Sequence, residues 1–300
     1  MTTPASTPQA SGATTTLAGR PVARVGLGAM QLTGGHGLAG ADPDRAAAVL
    51  RTAVEHGVNH IDTAQFYNAG RCNQLIRDTL APYPDDLVLV TKIGAEHDDR
   101  AGLVAAQRPE QLRAGVEANL TGLGIDRIDV VNLRRVDSPP GIIAEGDQVV
   151  DLDSQLAELA ALRDEGKIAG IGLSNVSADQ LRQALPAGIA CVQNSYSLLD
   201  RTSEPVLDLC RTHSIPWVPF CPLGSAFPNN PKVTAHPTVI HTATTLSTTP
   251  AQVGLAWLLA TYPHTLLIPG TTNPSHLLDN LAAATLHLPA ETLTTLTTLT

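Results

Sequence analysis

Ile128-Asp129-Val130-Val131-Asn132-Leu133-Arg134 is an apolar run of strand length, and Ile168-Ala169-Gly170-Ile171-Gly172-Leu173-Ser174 is another, with a segment of helical period between them. A strand, a helix and a second strand make a parallel pair joined by a crossover. Working outward, the same alternation begins at about Val25, with candidate strands at Arg24–Gly28, Asn59–Thr63, Leu87–Lys92, Ala190–Gln193, Trp217–Phe220 and Leu266–Pro269. Together they make eight strands, each followed by a helix-compatible segment. Helix starts are marked by Asp42-Pro43, by Ser177 with Gln180, by Thr249-Pro250 with Gln252, and by Asn273-Pro274. In the first helix Ala46, Val49, Leu50, Ala53 and Val54 form one apolar stripe, and Gly57 supplies the stop. A doubly wound open sheet uses the same alternation, but eight units without a linker or a break in composition predict a single-domain α/β protein, a (β/α)8 TIM barrel.

The chain has 300 residues, 43 % of them hydrophobic, enough for one large core. Residues 1–16 are mostly Thr, Ser, Pro and Ala and lack the parts of a signal peptide, so they are expected to be a disordered tail, leaving 17–300 as the barrel. No apolar stretch approaches the roughly 18 residues that cross a bilayer, so no membrane association is expected. Cys72, Cys191, Cys210 and Cys221 are scattered without a C-x-x-C pair, which suits reduced packing thiols in a cytoplasmic protein. A net charge of −9 without a basic, aromatic-interleaved run speaks against nucleic acid. The ten histidines form no ligand-spaced cluster, so no metal is expected, and His97-Asp98-Asp99 reads as a solvated loop. A small-molecule substrate is the expected partner, with the protein a monomer or a weak homo-oligomer.

Barrel enzymes carry their chemistry where strands end and βα loops begin. Asp62, Lys92 and Arg134 close the second, third and fourth strands. The strand period of two puts each on the same face as His60, as Val88 and Val90, and as Val130 and Asn132 respectively. A carboxylate beside a buried lysine is commonly a structural ion pair. Tyr67, five positions after Asp62, adds a phenol at the same end. Bringing a phenol with a pKa near 10 down toward neutrality takes roughly 3 to 4 kcal/mol, about the attraction of one unit charge 4 Å away at an effective dielectric near 20. Lys92 is thus expected to lower Tyr67, Asp62 to hold Lys92, and Tyr67 to protonate a carbonyl oxygen as hydride reaches its carbon.

Ile61-Asp62-Thr63-Ala64-Gln65-Phe66-Tyr67 with Val90-Thr91-Lys92-Ile93 resembles the active-site segments of the aldo-keto reductases. The resemblance extends, in order, from about Val22 to Ala284. Gly26-Leu27-Gly28-Ala29-Met30 is similar to the first strand exit, and Gly170-Ile171-Gly172-Leu173-Ser174-Asn175 to the segment whose Ser174 and Asn175 hold the nicotinamide carboxamide. Val192-Gln193-Asn194 and Leu198-Leu199-Asp200-Arg201 match the sixth unit. Phe220-Cys221-Pro222-Leu223-Gly224 sits where the family stacks an aromatic on the nicotinamide and wraps the pyrophosphate. Ile268-Pro269-Gly270-Thr271-Thr272 with His276, Asp279 and Asn280 resembles the adenosine-phosphate segment. The resemblance implies an NADPH-dependent oxidoreductase in which Gly28, Met30 and Gln193 also border the cofactor.

Two departures stand out. The family usually places a histidine where this chain has Arg134, which is read either as a tolerated substitute or as a change toward anionic or enolisable substrates; an extra cation there is expected to make reduction fade at mildly alkaline pH. Lys and Arg often meet the 2′-phosphate where this chain has Gly270 and His276, so NADH is the alternative coenzyme. Gly26-x-Gly28 and Gly170-x-Gly172 do not complete a G-x-G-x-x-G fingerprint. Residues 136–150 are either a substrate-pocket loop or a plain surface loop. Two other activities stay open: a regulatory module that senses the redox state of a bound dinucleotide, and an isomerase or aldolase using Lys92 as a Schiff base.

Overall fold

Alternation within the central strands shows how the barrel is filled. In one strand, Val88 and Val90 pack inside with Leu17, Val22, Val130, Cys191, Val218, Leu266 and Ile268, whereas Leu89 and Ile93 face the surrounding helices. Both faces are covered, so every residue from 88 to 93 is buried. The computed structural model describes residues 14–34, 40–224 and 231–299.

The described residues begin with an antiparallel hairpin, β1 (Thr14–Leu17) and β2 (Arg20–Ala23). Ala18 and Gly19 turn it at φ 48° and 79°, the left-handed pair of a tight hairpin. There follow β3 (Leu27–Gly28), β4 (His60–Asp62), β5 (Val88–Ile93), a surface hairpin of β6 (Ala95–Asp98) and β7 (Gly102–Ala105), then β8 (Ile128–Arg134), β9 (Ile168–Ser174) and β10 (Ile189–Gln193). β3, β4, β5, β8, β9 and β10 pair in that order, all parallel. Residues 217–220 and 265–268 then complete the ring. Val218 N–H donates to Val192 O, Leu266 N–H to Trp217 O, and Gly26 N–H to Leu267 O, each at 2.8 Å. The eight expected strands therefore form the expected barrel, the last two through a few bonds rather than full ladders.

The helices are α1 (Met30–Thr33), α2 (Pro43–Glu55), α3 (Arg71–Leu80), α4 (Pro109–Leu123), α5 (Leu152–Asp164), α6 (Ala178–Ala184), α7 (Glu204–His213), α8 (Pro237–Thr245), α9 (Pro250–Thr261), α10 (Pro274–Ala282) and α11 (Ala290–Thr297). Asp42 caps α2 and Asn273 caps α10, while Ser177 with Gln180 and Thr249 with Gln252 form reciprocal capping boxes. Ala46, Val49, Leu50 and Ala53 bury the apolar stripe of α2, and Gly57 ends it at φ 84°.

Two expectations need correction. Thr14–Thr16 are strand rather than tail, because Leu17 and Val22 plug the end of the barrel where its strands start and the hairpin carries them there; residues 1–13 lie outside the described residues. His97 and Asp98 belong to β6, not to a loop, although their side chains are exposed as expected. Among the described residues no helix is long and apolar enough to cross a membrane, and no three potential ligands gather at a metal site. Cys72, Cys191 and Cys210 are buried, as packing residues should be.

Candidate active site

Strand ends bring the four expected residues together. Register aligns Asp62 of β4 with Val90 of β5, Lys92 of β5 with Asn132 of β8, and Arg134 of β8 with Ser174 of β9. Lys92 Nζ donates to Asp62 Oδ1 and, at 3.2 Å, to the Thr63 carbonyl. Gln193 Nε2 donates to Asp62 Oδ2 at 2.9 Å, so both carboxylate oxygens are used. Tyr67 lies 5.1 Å from Lys92 Nζ, measured to its ring centroid, and Phe66 packs edge-on against it at 5.3 Å.

Burial pushes the Tyr67 phenol above its ordinary value; Lys92 is the strongest influence against this, helped by Arg134. The sequence-based expectation of a lowered phenol is thus corrected. That expectation weighed one nearby charge alone, whereas Tyr67 is buried and desolvation outweighs the charge. For Lys92, burial opposes the ammonium, yet Asp62 and Tyr67 together more than offset it and hold its pKa above the usual lysine value. Lys92 therefore stays protonated, the wrong state for Schiff-base attack.

Arg134 donates from Nη2 to the Pro140 carbonyl at 2.7 Å, and its guanidinium sits 5.7 Å from the Phe220 ring centroid. Residues after β8 thus fold back over the barrel mouth. Asn175, at φ 58°, reinforces them by donating to Ser138 O at 2.8 Å. Burial lowers Arg134 from its ordinary value, with Tyr67 and Cys221 acting in the other direction.

The expected cofactor residues line the same end. Gly28 faces the eighth strand so closely that a Cβ would stand 2.4 Å from Ile268 O, and at Gly270 a Cβ would stand 3.0 Å from Gly28 O. Met30 opens α1. Ser174 and Gln193 end β9 and β10, with Ser174 Oγ and Gln193 Oε1 buried and without a partner among the described residues. Phe220 ends the seventh strand, its N–H donating to Asn194 O at 3.0 Å, and Cys221, Pro222, Leu223 and Gly224 form a turn closed by Gly224 N–H donating to Cys221 O at 2.8 Å. Thr271 is buried and accepts from Asn273 N–H at 3.1 Å, Thr272 adjoins it, and α10 carries exposed His276 and Asp279 and buried Asn280.

Sequence reasoning missed the support behind these groups. Thr63 Oγ1 donates to Asn73 Oδ1 at 2.8 Å, Asn73 Nδ2 donates to Asn119 Oδ1 at 2.9 Å, and Thr91 Oγ1 donates to Asn119 as well. This buried chain ties α3 and α4 to the ends of β4 and β5 and fixes the Thr63 carbonyl that receives Lys92. The available signal was an asparagine on the apolar face of each helix. Gln193, expected at the cofactor, also holds the Asp62 carboxylate.

A closed parallel barrel with a buried carboxylate, ammonium and phenol at its strand ends has the build of a barrel enzyme. The Aldo/keto reductase family profile matches residues 24–300, and the chain belongs to that family, as an oxidoreductase of the aldo-keto reductase type. It is 44 % identical over 286 residues to a pyridoxine 4-dehydrogenase of Escherichia coli, covering 94 % of this chain and 96 % of that one. Among solved structures it resembles a thermostable aldo-keto reductase in complex with the inhibitor epalrestat (TM-score 0.81, 26 % identity, 96 % of this chain and 100 % of that one). It also resembles an aldo/keto reductase of Klebsiella pneumoniae in complex with NADP and acetate (TM-score 0.75, 28 % identity, 92 % and 90 %).

Proposed function

We propose that this chain is an NADP(H)-dependent oxidoreductase that interconverts a carbonyl and an alcohol on a small organic molecule, working in the cytoplasm with Tyr67 as general acid. The carrying observation is the buried constellation of Asp62, Lys92 and Tyr67 at the strand ends.

The residues present fit a nicotinamide dinucleotide. Ser174 Oγ and Gln193 Oε1 are buried at adjacent strand ends without partners among the described residues, and a carboxamide offers the complementary donor and acceptor. Phe220 would flank the ring; Cys221 to Gly224 would follow the pyrophosphate. Thr271, Thr272 and the first turn of α10, capped by Asn273, would meet the adenosine phosphate with His276, Asp279 and Asn280. When bound, the cofactor supplies or accepts the hydride.

The protein's own work is proton handling. Tyr67 donates its proton to the carbonyl oxygen during reduction and takes one back during oxidation. Lys92 stabilises the negative charge that builds on the phenolic oxygen, and Asp62, fixed by Gln193, keeps the ammonium in place.

The relative's name makes pyridoxine and pyridoxal the first pair to try. The test follows the nicotinamide absorbance band with NADPH or NADH and an aldehyde panel including pyridoxal. Turnover in the wild type, with NADPH preferred, and a loss of about 10²- to 10⁴-fold in Tyr67→Phe are expected. Dinucleotide binding without turnover of any substrate would favour a regulatory sensor.

A further inference from the structure

Arg134 and Arg135 are chain neighbours in opposite circumstances. Arg135 forks onto Asp137 at 2.7 and 2.8 Å and gives its other donors to the Val150 carbonyl and Gln155. Arg24, which has no carboxylate partner among the described residues, spends its guanidinium on the Leu259, Tyr262 and Thr265 carbonyls at 2.7, 2.8 and 3.1 Å. Arg134 has the Pro140 carbonyl, and among the described residues no carboxylate pairs with it. Residues 1–13, 35–39, 225–230 and 300 contain no Asp or Glu.

Asp62 and Lys92 neutralise one another, so Arg134 leaves one net positive charge facing the phenol. A guanidinium does not relieve this by giving up its proton. Its planar fork is suited to an oxyanion, and the cost of holding it part-buried falls only when a negative charge comes to it.

We infer that Arg134 is a specificity-determining residue that selects substrates carrying an ionised oxygen close beside the reacting carbonyl, Tyr67 taking the carbonyl oxygen and Arg134 the anionic one. An ortho-hydroxy aromatic aldehyde and a 2-keto acid share this chemistry; pyridoxal, whose ring hydroxyl adjoins its formyl group, falls in the first class. The inference rests on the carbonyl-reducing function proposed above and adds the substrate class.

Two probe pairs test it. The first is 2-hydroxy-5-nitrobenzaldehyde against 4-hydroxy-3-nitrobenzaldehyde, both ionised near neutrality and differing in where the anionic oxygen lies. The second is phenylglyoxylate against its methyl ester. Wild type should favour the ortho-phenolate, or the keto acid, over its counterpart by about 10- to 100-fold in kcat/KM, the range of a hydrogen bond to a charged group. The pair that responds identifies the source of the anion. In Arg134→Gln the ratio should collapse toward one, and Arg134→Lys should retain part of it. Because the ratio is taken within each protein, a general loss of activity cancels. Ratios near one for both pairs in wild type, or a preference that survives in Arg134→Gln, would overturn the inference. Should wild type turn over no aldehyde at all, the proposed function fails separately. The same pairs are then compared by calorimetric binding, where equal affinities for both members of each pair overturn the role of Arg134.

Discussion

Gln193 donates its side-chain amide to Asp62 Oδ2 at 2.9 Å, from a strand on the far side of β8 and β9, while Lys92 holds the other oxygen. The carboxylate is thus fixed from two directions inside a dry interior. Breaking such a pair from one side leaves a buried charge alone, at a cost of about 3 to 5 kcal/mol. Asp62→Asn should therefore lose both activity and stability. Adding Lys92→Met should restore most of the stability and none of the activity, because the stranded ammonium goes while Tyr67 still lacks the positive charge that stabilises its phenolate. Urea unfolding and kcat/KM, measured on both proteins, separate the two effects; a double variant as unstable as the single one would contradict the account.

Tyr67 gives a second expectation, in the direction of pH. Burial holds the phenol above 10, its ordinary value. The protonated acid is the form that the proposed reduction uses, so it is fully present across neutral and mildly alkaline pH and is lost only as pH rises through the raised pKa. The rate of reduction should be flat from about pH 6 to 9 as far as this group controls it. An early alkaline decline that disappears in Arg134→Gln would restore the opposite view, that the second cation dominates over burial.

The difference between those views marks what the sequence carries. The strand ends were legible because Asp62, Lys92 and Arg134 stand in period-two register with apolar neighbours, and the barrel because eight such runs alternate with capped helices. Proximity of Tyr67 to Lys92 followed from the five-residue spacing. The degree of burial did not, since it depends on Phe66 and on chain brought over the mouth from after β8. β1 was hidden for a related reason. Thr14-Thr15-Thr16-Leu17 has one large apolar residue, and its value comes from Leu17 entering a barrel end whose lining is set by strands far along the chain.

Leu17 supplies the third prediction. It is fully buried at the base of the barrel, and Arg20 anchors the hairpin by donating to Asp129 at 2.9 Å. Leu17→Ala should cost about 2 to 5 kcal/mol through lost burial and the cavity left behind. Its KM for substrate should stay unchanged, because the plug lies at the opposite end from the site. Chemical denaturation alongside steady-state kinetics checks both halves; a large shift in KM would mean that the two ends of the barrel are coupled.

His60 lies one inward position below Asp62, its ring against Gly26, where a Cβ would come within 2.3 Å of Nε2. Among the described residues neither ring nitrogen finds a well-formed hydrogen bond, and burial pushes the imidazole down to about 4, opposed in part by the Leu267 carbonyl. The unfolded chain binds a proton at about 6.5 and the folded one near 4, so between those values unfolding is drawn forward by proton uptake. Stability from this group is complete above the unfolded value and is lost as pH falls toward the folded one, by roughly 3 kcal/mol in total. His60→Met should flatten the change in urea midpoint between pH 7 and 4, leaving only what the carboxylates contribute. If the variant and wild type lost stability in parallel over that range, the imidazole would have to be charged or hydrogen-bonded in the folded barrel, not neutral and desolvated.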